Sequence, residues 1–545
     1  MKFSFYALLS FILTTSANAA HVCGTQAMLE HLHSIKAEGA AARTSYKSTT
    51  SCDAEAYYNS DSIQKRTTAH FRIYYVLSGP HKTTEAFVDS TAYYLEKAWT
   101  FHTKELDMKA PLGGDTTWHY KQVGDSSLYP VEILDIDMIR DNASLLGGYC
   151  SGCYGITFQI SDANPEATEL VIDNDFRYST PQSSQGSINY EGNSCTYPIS
   201  EYELYNESNG LNYATYFGDG IHVTSFHELY HATQARYIDF TEYYSYWIEA
   251  SAVGVEELGA PTINDYWAYL YSFFQNTGSA FDSQESPYGI GTWALYNAKT
   301  QGIKFDASLW ERYSAKPDSS FETIFATALE NKNLDPDSEF SDFATRLFFS
   351  SSRASHIDTA LYVTGDEKNW PTMPRLRNPT SKTLTLSPPA INYFRLTTDS
   401  IPDLSSFVGK ATVAFYDKDK KAEFVSLDTA TLQSLYTKIA EADTSVLILS
   451  RLREQTSTRI AKDTLPMRAY PNPWRGSTPL CFAGLPSDKD FIEIRTRIGK
   501  LVKRFKYSGT KLCLDEDQVK DLLAPGIYHF RAGGNNKLKP FIVIY

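Results

Sequence analysis

The sequence predicts an α+β fold, a mixed sheet followed by a helical subdomain, with a C-terminal β-sandwich region. Three observations lead there. Strand-like apolar runs recur between residues 70 and 176, separated by one long amphipathic stretch. From Gly220 to about residue 350 the apolar spacing is helical throughout. The last stretch, residues 466–545, is a series of short strands divided by Gly and Pro turns. At 545 residues the chain exceeds one ordinary core, so two to four domains are expected.

The elements follow in order. Met1-Lys2 is a short positive start, residues 3–15 are mostly apolar, and Ser16-Ala17-Asn18-Ala19-Ala20 ends in an A-x-A pattern. Together they read as a secretory signal peptide over residues 1–20, cleaved after Ala19 or Ala20. The apolar run is too short to span a bilayer, and no later segment carries about 18 uninterrupted apolar residues, so no transmembrane span is expected in the mature chain. Residues 21–65 are polar, with a helical pattern only around 27–37, and read as an N-terminal arm or pro-segment. A strand is expected at 70–76, ending at Ser78-Gly79-Pro80, then an amphipathic helix over 83–106, then strands at 131–139, 155–161 and 169–176. With the helices that follow, these form one domain, residues 66–365. Prolines 371, 374, 379, 388 and 389 punctuate a linker, and residues 366–465 form a linker and β-rich domain with strands at 411–416 and 445–449 and a helical piece near 432–442. Short strands at 481–482, 491–494, 501–502, 527–530 and 541–544 make up the final domain, residues 466–545.

Composition excludes several classes. A net charge of −14 argues against broad phosphate neutralisation, so no nucleic-acid partner is expected. The 38 tyrosines suit wet grooves, but half-buried packing is the plainer reading of most of them. In an oxidising compartment the seven cysteines favour disulfides. Their clustering suggests Cys23–Cys52 and Cys481–Cys513, with Cys150, Cys153 and Cys195 leaving one thiol over or pairing outside the trio. Cys150-Ser151-Gly152-Cys153 matches a CxxC, but its Gly-rich loop is not a helix start, so a structural bridge is expected there, not a redox or zinc site.

The chemistry is carried by His227-Glu228-Leu229-Tyr230-His231. On a helix, positions i and i+4 share a face, so two imidazoles can reach one Zn²⁺ while the glutamate between them stands beside the metal as a base. The alternative is a helix that happens to carry two histidines; with only 12 histidines in the chain, chance produces the motif in roughly one such sequence per hundred. A catalytic zinc site needs a third protein ligand. Glu249, 18 residues past His231 in Tyr246-Trp247-Ile248-Glu249-Ala250-Ser251-Ala252, supplies it on the next helical segment, 243–258. The small neighbours let the two helices approach. Glu256 and Glu257 read as solvated carboxylates or partners of the ligands, and His222 lies one turn off the ligand face.

HExxH followed by a glutamate on the next helix resembles the gluzincin group of zinc metallopeptidases. The stretch from His70 to Arg353 is also similar to a family of secreted bacterial metallopeptidases, through His70-Phe71-Arg72-Ile73-Tyr74, Val171-Ile172-Asp173-Asn174-Asp175-Phe176, the motif extended to Ala232-Thr233-Gln234, Trp247-Ile248-Glu249-Ala250-Ser251-Ala252 and Tyr288-Gly289. The resemblance covers roughly half the chain and implies a zincin-like catalytic domain. It implies one catalytic Zn²⁺ held by His227, His231 and Glu249, with Glu228 as general base toward a protein or peptide substrate. Such enzymes take an oxyanion donor from a later helix; Tyr288 is the candidate here, with Tyr266 behind it and ordinary packing as the alternative. Their substrate runs along an edge strand, which 169–176 or 155–161 would provide. The spacing from His231 to Glu249 is slightly shorter than in the best-known gluzincins.

Residues 466–545, opening on Ala469-Tyr470-Pro471-Asn472-Pro473-Trp474-Arg475, resemble the C-terminal Ig-like modules of secreted bacterial proteins, akin to type IX sorting domains and to the Ig-like part of flagellar hook-capping proteins. That resemblance implies a secreted or cell-surface location and the secretion machinery as a partner; a plain β-sandwich spacer is the alternative. Two functions are therefore carried forward: a secreted zinc metallopeptidase, and a catalytically degenerate surface protein that binds polysaccharide or protein. The presence of all four of His227, Glu228, His231 and Glu249 favours the first.

Overall fold

A computed structural model describes residues 22, 23, 25, 63–114, 127–137, 152–159, 164–178, 184–190, 193–199, 202–203, 205–206, 211–240, 245–283, 287–379, 384–427 and 432–454, and most of 468–544. The signal segment and the possible helix at 27–37 lie outside these residues. The chain forms two compact units, Met1–Glu454 and Gln455–Tyr545. It is a mixed α and β structure, as an α+β fold requires. No helix among the described residues is long and apolar enough to cross a membrane.

The first unit opens with a six-stranded sheet: β1 (Val22–Cys23), β2 (Gln64–Thr67), β3 (Phe71–Tyr75), β4 (Tyr129–Leu134), β5 (Cys153–Gln159) and β6 (Thr168–Asp173), in the order β1-β5-β6-β4-β3-β2. Strands β3, β4 and β6 run parallel, β5 runs antiparallel to β6, and β1 runs parallel to β5. All residues of β3, β4 and β6 are buried, which explains why they read as short apolar runs without alternation. Both strands proposed as the edge are corrected: 169–176 becomes β6, between β5 and β4, and 155–161 becomes β5, between β1 and β6. An apolar run cannot show which of its flanks is paired.

Helices α1 (Glu85–Thr100) and α2 (Phe217–Gln234) cover one face of this sheet. Phe87, Val88 and Leu95 of α1 and Ile221, Val223 and Leu229 of α2 share a core with Phe71, Ile73, Val131, Ile133, Leu170 and Ile172. The N-cap hydroxyl of Thr84 accepts from the Phe87 amide and starts α1 two residues later than the periodicity suggested. Next come α3 (Trp247–Gly259), α4 (Trp267–Asn276), α5 (Gly291–Gln301), α6 (Phe305–Ala315), α7 (Phe321–Glu330) and α8 (Pro336–Phe348). Their core is aromatic: Trp247 stacks on Phe321 at 4.4 Å, and Trp293 meets Phe325 and Phe340 edge to face.

One carboxylate ties these helices to α2. Asp306 accepts from the indole N–H of Trp247 (2.7 Å), the indole N–H of Trp310 (2.9 Å) and the hydroxyl of Tyr230. The pairing recurs across the unit. Tyr213 donates to Asp265 (2.6 Å), Tyr246 to Glu322 (2.8 Å), Tyr296 to Asp342 (2.8 Å) and Tyr266 to Asp366 (3.0 Å). These five of the 38 tyrosines are thus interior, with the ring in the core and the hydroxyl on an acid.

Residues 390–451 carry a four-stranded antiparallel sheet of Ala390–Leu396, Thr444–Arg451, Lys410–Tyr416 and Glu423–Ser426. Ile391, Tyr393, Val446 and Ile448 pack into the core that also holds Phe343 and Leu347 of α8, and the other face holds Val413, Leu447 and Leu449 with Leu432 and Ile439. The second unit has a three-stranded sheet (Arg468–Tyr470, Leu480–Ala483, Lys511–Leu514) and a four-stranded one (Leu501–Lys506, Phe491–Thr496, Gly526–Ala532, Lys539–Val543). Both contribute to one core, with Leu480, Phe482 and Leu514 from the first and Ile492, Phe530 and Phe541 from the second. A helix absent from the sequence reading, Glu516–Leu522, is started by a capping box of Asp515 and Gln518. Cys481 and Cys513 form the disulfide expected of them. Cys153 is also disulfide-bonded. The proposed Cys23–Cys52 bridge is corrected: Cys23 is a free, buried thiol.

Candidate metal centre

Helix α2 crosses β5 at very short range. An added Cβ on Gly155 would stand 2.6 Å from Cγ of Glu228 and 2.7 Å from Cγ2 of Thr224. Glycine in the middle of a strand marks such an approach. Here it places Glu228 directly on the strand. Thr157, two residues on, lies 2.7 Å from the Glu228 carbonyl oxygen and 3.0 Å from its Oε2. Gly155→Ala is expected to displace the Glu228 side chain while leaving its neighbours His227 and His231 in place. Metal content should be unchanged, because the converging donors stay in place; loss of metal would show instead that the whole helix had moved.

The two histidines of α2 and Glu249 of α3 converge. Nε2 of His227 lies 3.3 Å and Nε2 of His231 3.5 Å from Oε2 of Glu249. The imidazole centroids are 4.8 Å apart, with the rings nearly perpendicular. A fourth donor joins them. Sγ of Cys23 lies 3.4 Å from Nε2 of His231 and 3.9 Å from Oε1 of Glu249. One donor atom from each of Cys23, His227, His231 and Glu249 lies within 4.8 Å of the others, and all four residues are buried. This group can hold a metal ion. Bond lengths of ~2.0–2.1 Å to N or O and ~2.3 Å to S give tetrahedral edges of about 3.3 and 3.6 Å, so the distances and the donor set both suit a four-coordinate cation.

The other ring nitrogens are engaged in the manner ligation requires. Nδ1 of His227 lies 3.2 Å from Oε2 of Glu256, and Nδ1 of His231 lies 2.8 Å from Oε1 of Gln234. Each acceptor keeps the proton on Nδ1 and turns the Nε2 lone pair inward. Gln234 in turn donates to the Ile248 carbonyl (2.9 Å) and to Ser251 (3.0 Å), joining α2 to α3. Glu256 is therefore a partner of a ligand and not a solvated carboxylate, and Glu257 is buried as well. Gln234 was present in the motif segment, but no pattern in the sequence assigns it this contact.

The pocket is strongly acidic. Burial works against charge on Glu249, but the His231 and His227 imidazoles outweigh it and hold its carboxyl at about 2. Burial likewise opposes charge on His231, yet Glu249 and Cys23 push it up to about 10. Burial raises Glu256 to about 7 against the pull of its hydrogen bond to His227. Such a cluster takes up protons or a divalent cation, and the two compete.

Glu228 is fully buried beside this group. Its Oε2 accepts from Thr25 at 3.0 Å, while its Oε1 has no hydrogen-bond partner among the described residues. Tyr288 closes the pocket from a short 3₁₀ turn, Tyr288–Ile290, stacked on Tyr269 at 4.8 Å. Its ring lies 6.2 Å from that of His227, and its hydroxyl donates to the Cys23 carbonyl at 3.5 Å. Burial raises its pKa well above the usual range, so it stays a donor. Tyr266, the second candidate, is elsewhere: its hydroxyl bonds Asp366 and accepts from the Trp370 indole. His222 stacks on Tyr94 and takes no part.

No family model matches this chain, and no curated protein matches it. Among solved structures, PorZ, described as an essential bacterial surface component of the type-IX secretion system of Porphyromonas gingivalis, is similar over 18% of this chain and 14% of its own, at 22% identity and a TM-score of 0.15. A likeness of that size carries no argument about fold or activity.

Proposed function

We propose that the chain is a secreted zinc-dependent peptidase with a zincin-like catalytic domain. The observation that carries this reading is the convergence of His227, His231 and Glu249, from two crossing helices, at tetrahedral edge distances beside the unpartnered oxygen of Glu228. His227, His231 and Glu249 would hold one Zn²⁺, which when bound lowers the pKa of water to ~7 and polarises a carbonyl.

The chain's own residues do the rest. Glu256 and Gln234 fix the tautomers of the two histidines. Glu228 takes the proton of the attacking water and delivers it to the leaving amine. Tyr288 donates to the oxygen on which negative charge develops. With Val22 and Cys23 displaced from it, the outer edge of β5 would take an extended peptide, main-chain hydrogen bonds setting the register. The signal segment and the C-terminal unit support export and a surface location, with the secretion machinery as partner.

The test combines metal analysis with hydrolysis. The purified protein should carry about one equivalent of zinc, and His231→Ala should lose it. Casein cleavage, measured on the whole chain and on a Cys23→Ala variant because Cys23 stands in the same cluster, should disappear with chelator. Absence of stoichiometric metal from the wild type would sink the reading.

A further inference from the structure

Residues 22, 23 and 25 occupy the place where a peptidase needs room. Strand β1 pairs with the outer edge of β5, Val22 opposite Cys153 and Cys23 opposite Gly155. Thr25 extends the contact: its hydroxyl accepts from the Thr157 amide at 2.9 Å and donates to Glu228 at 3.0 Å. The Cys23 carbonyl receives the Tyr288 hydroxyl, and the Cys23 thiol stands among the metal-binding donors. Three groups of the proposed machinery, the metal ligands, the base and the oxyanion donor, are therefore each engaged by Cys23 or Thr25. The segment that holds them comes directly after the expected signal cleavage site.

We propose that this segment is an inhibitory plug in which Cys23 supplies the fourth metal donor and holds the peptidase latent until the segment is displaced or cut away. The inference rests on the peptidase reading above. A catalytic zinc site has three protein ligands and an open position, whereas a site with four is closed and structural in kind. Coordination exchanges the S–H bond of Cys23 for a sulfur–metal bond and releases one proton to solvent. Displacement reverses this: the sulfur regains a proton and water enters the position it leaves. The thiol is selective for this role because a thiolate is a far better metal donor than the other side chains of the segment.

The experiment uses the whole mature chain loaded with Co²⁺ in place of zinc. Wild type should show thiolate-to-cobalt charge-transfer absorption, and Cys23→Ala should bind one equivalent of Co²⁺ without it. With zinc, Cys23→Ala should cleave casein at least about tenfold faster than wild type. Capping the thiol of the wild type with an organomercurial should give the same rise, which keeps the test usable if the variant folds poorly. Bound Co²⁺ without thiolate absorption, or a Cys23→Ala variant that carries metal and is no faster than wild type, overturns the plug and leaves the peptidase reading standing. Failure of wild type and variant alike to bind either metal overturns both.

Discussion

Glu228→Gln is expected to lower peptide hydrolysis on the order of 10²–10⁴-fold, the range a general base contributes. That corresponds to about 3–5 kcal/mol of transition-state stabilisation. The substitution keeps the side-chain volume beneath Gly155 and keeps an oxygen for Thr25 and Thr157, so the geometry of the helix crossing is retained. It removes only the ability to accept a proton. Metal content should be unchanged, because Glu228 is not among the converging donors. The comparison is made in a Cys23→Ala background, so that the N-terminal segment masks neither protein. Equal turnover numbers for the two would remove Glu228 from the mechanism.

Metal removal should abolish hydrolysis and lower the melting temperature by several degrees. A cation present at a thousand times its dissociation constant adds about 4 kcal/mol to the folded state. The size of this gap should depend on pH, and its sign follows from the metal-free cluster. His231 is held at about 10, above its unfolded value. Its contribution is therefore complete below about pH 6.5 and is lost as pH rises toward 10. Glu249 is held at about 2, so its contribution is present above about pH 4.5 and is lost only as pH falls toward 2. Between pH 6.5 and 9 the chelated protein should lose stability while the loaded protein, whose imidazoles are already unprotonated, should not. The difference in melting temperature should widen with pH. A gap that is absent, or that narrows over this range, would contradict cation binding by the unprotonated histidines.

What was legible in the sequence was local. His227 and His231 sit four apart on one helix, and Glu249 follows on the next, so a spacing argument reaches all three. The strands at 71–75, 129–134, 153–159 and 168–173 were each visible as apolar runs, but their order in the sheet was not. The run at 168–173 looks the same whether its neighbour is solvent or β5. Cys23 is the clearest loss. Its partners lie more than 200 residues away, and its nearest cysteine in sequence, Cys52, suggested a disulfide instead. Strand Ala390–Leu396 was hidden behind Pro388-Pro389, which read as linker. Asp306 carries no motif at all; only the meeting of Tyr230, Trp247 and Trp310 gives it a role.

The tyrosine–carboxylate pairs have a consequence for the solvent in which this protein can work. In an acidic chain, buried carboxylates are commonly thought of as needing lysine or arginine. Here Asp265, Asp306 and Glu322 accept hydrogen bonds from neutral tyrosine and tryptophan donors. Ion pairs such as Lys304–Asp107 and Lys438–Glu423 stand at the surface. Dissolved salt screens exposed charges and hardly touches a buried hydrogen bond. The interior that sets the angle between α2 and α3 is thus indifferent to ionic strength, and the spacing of the metal-binding residues passes unchanged from dilute to saline surroundings.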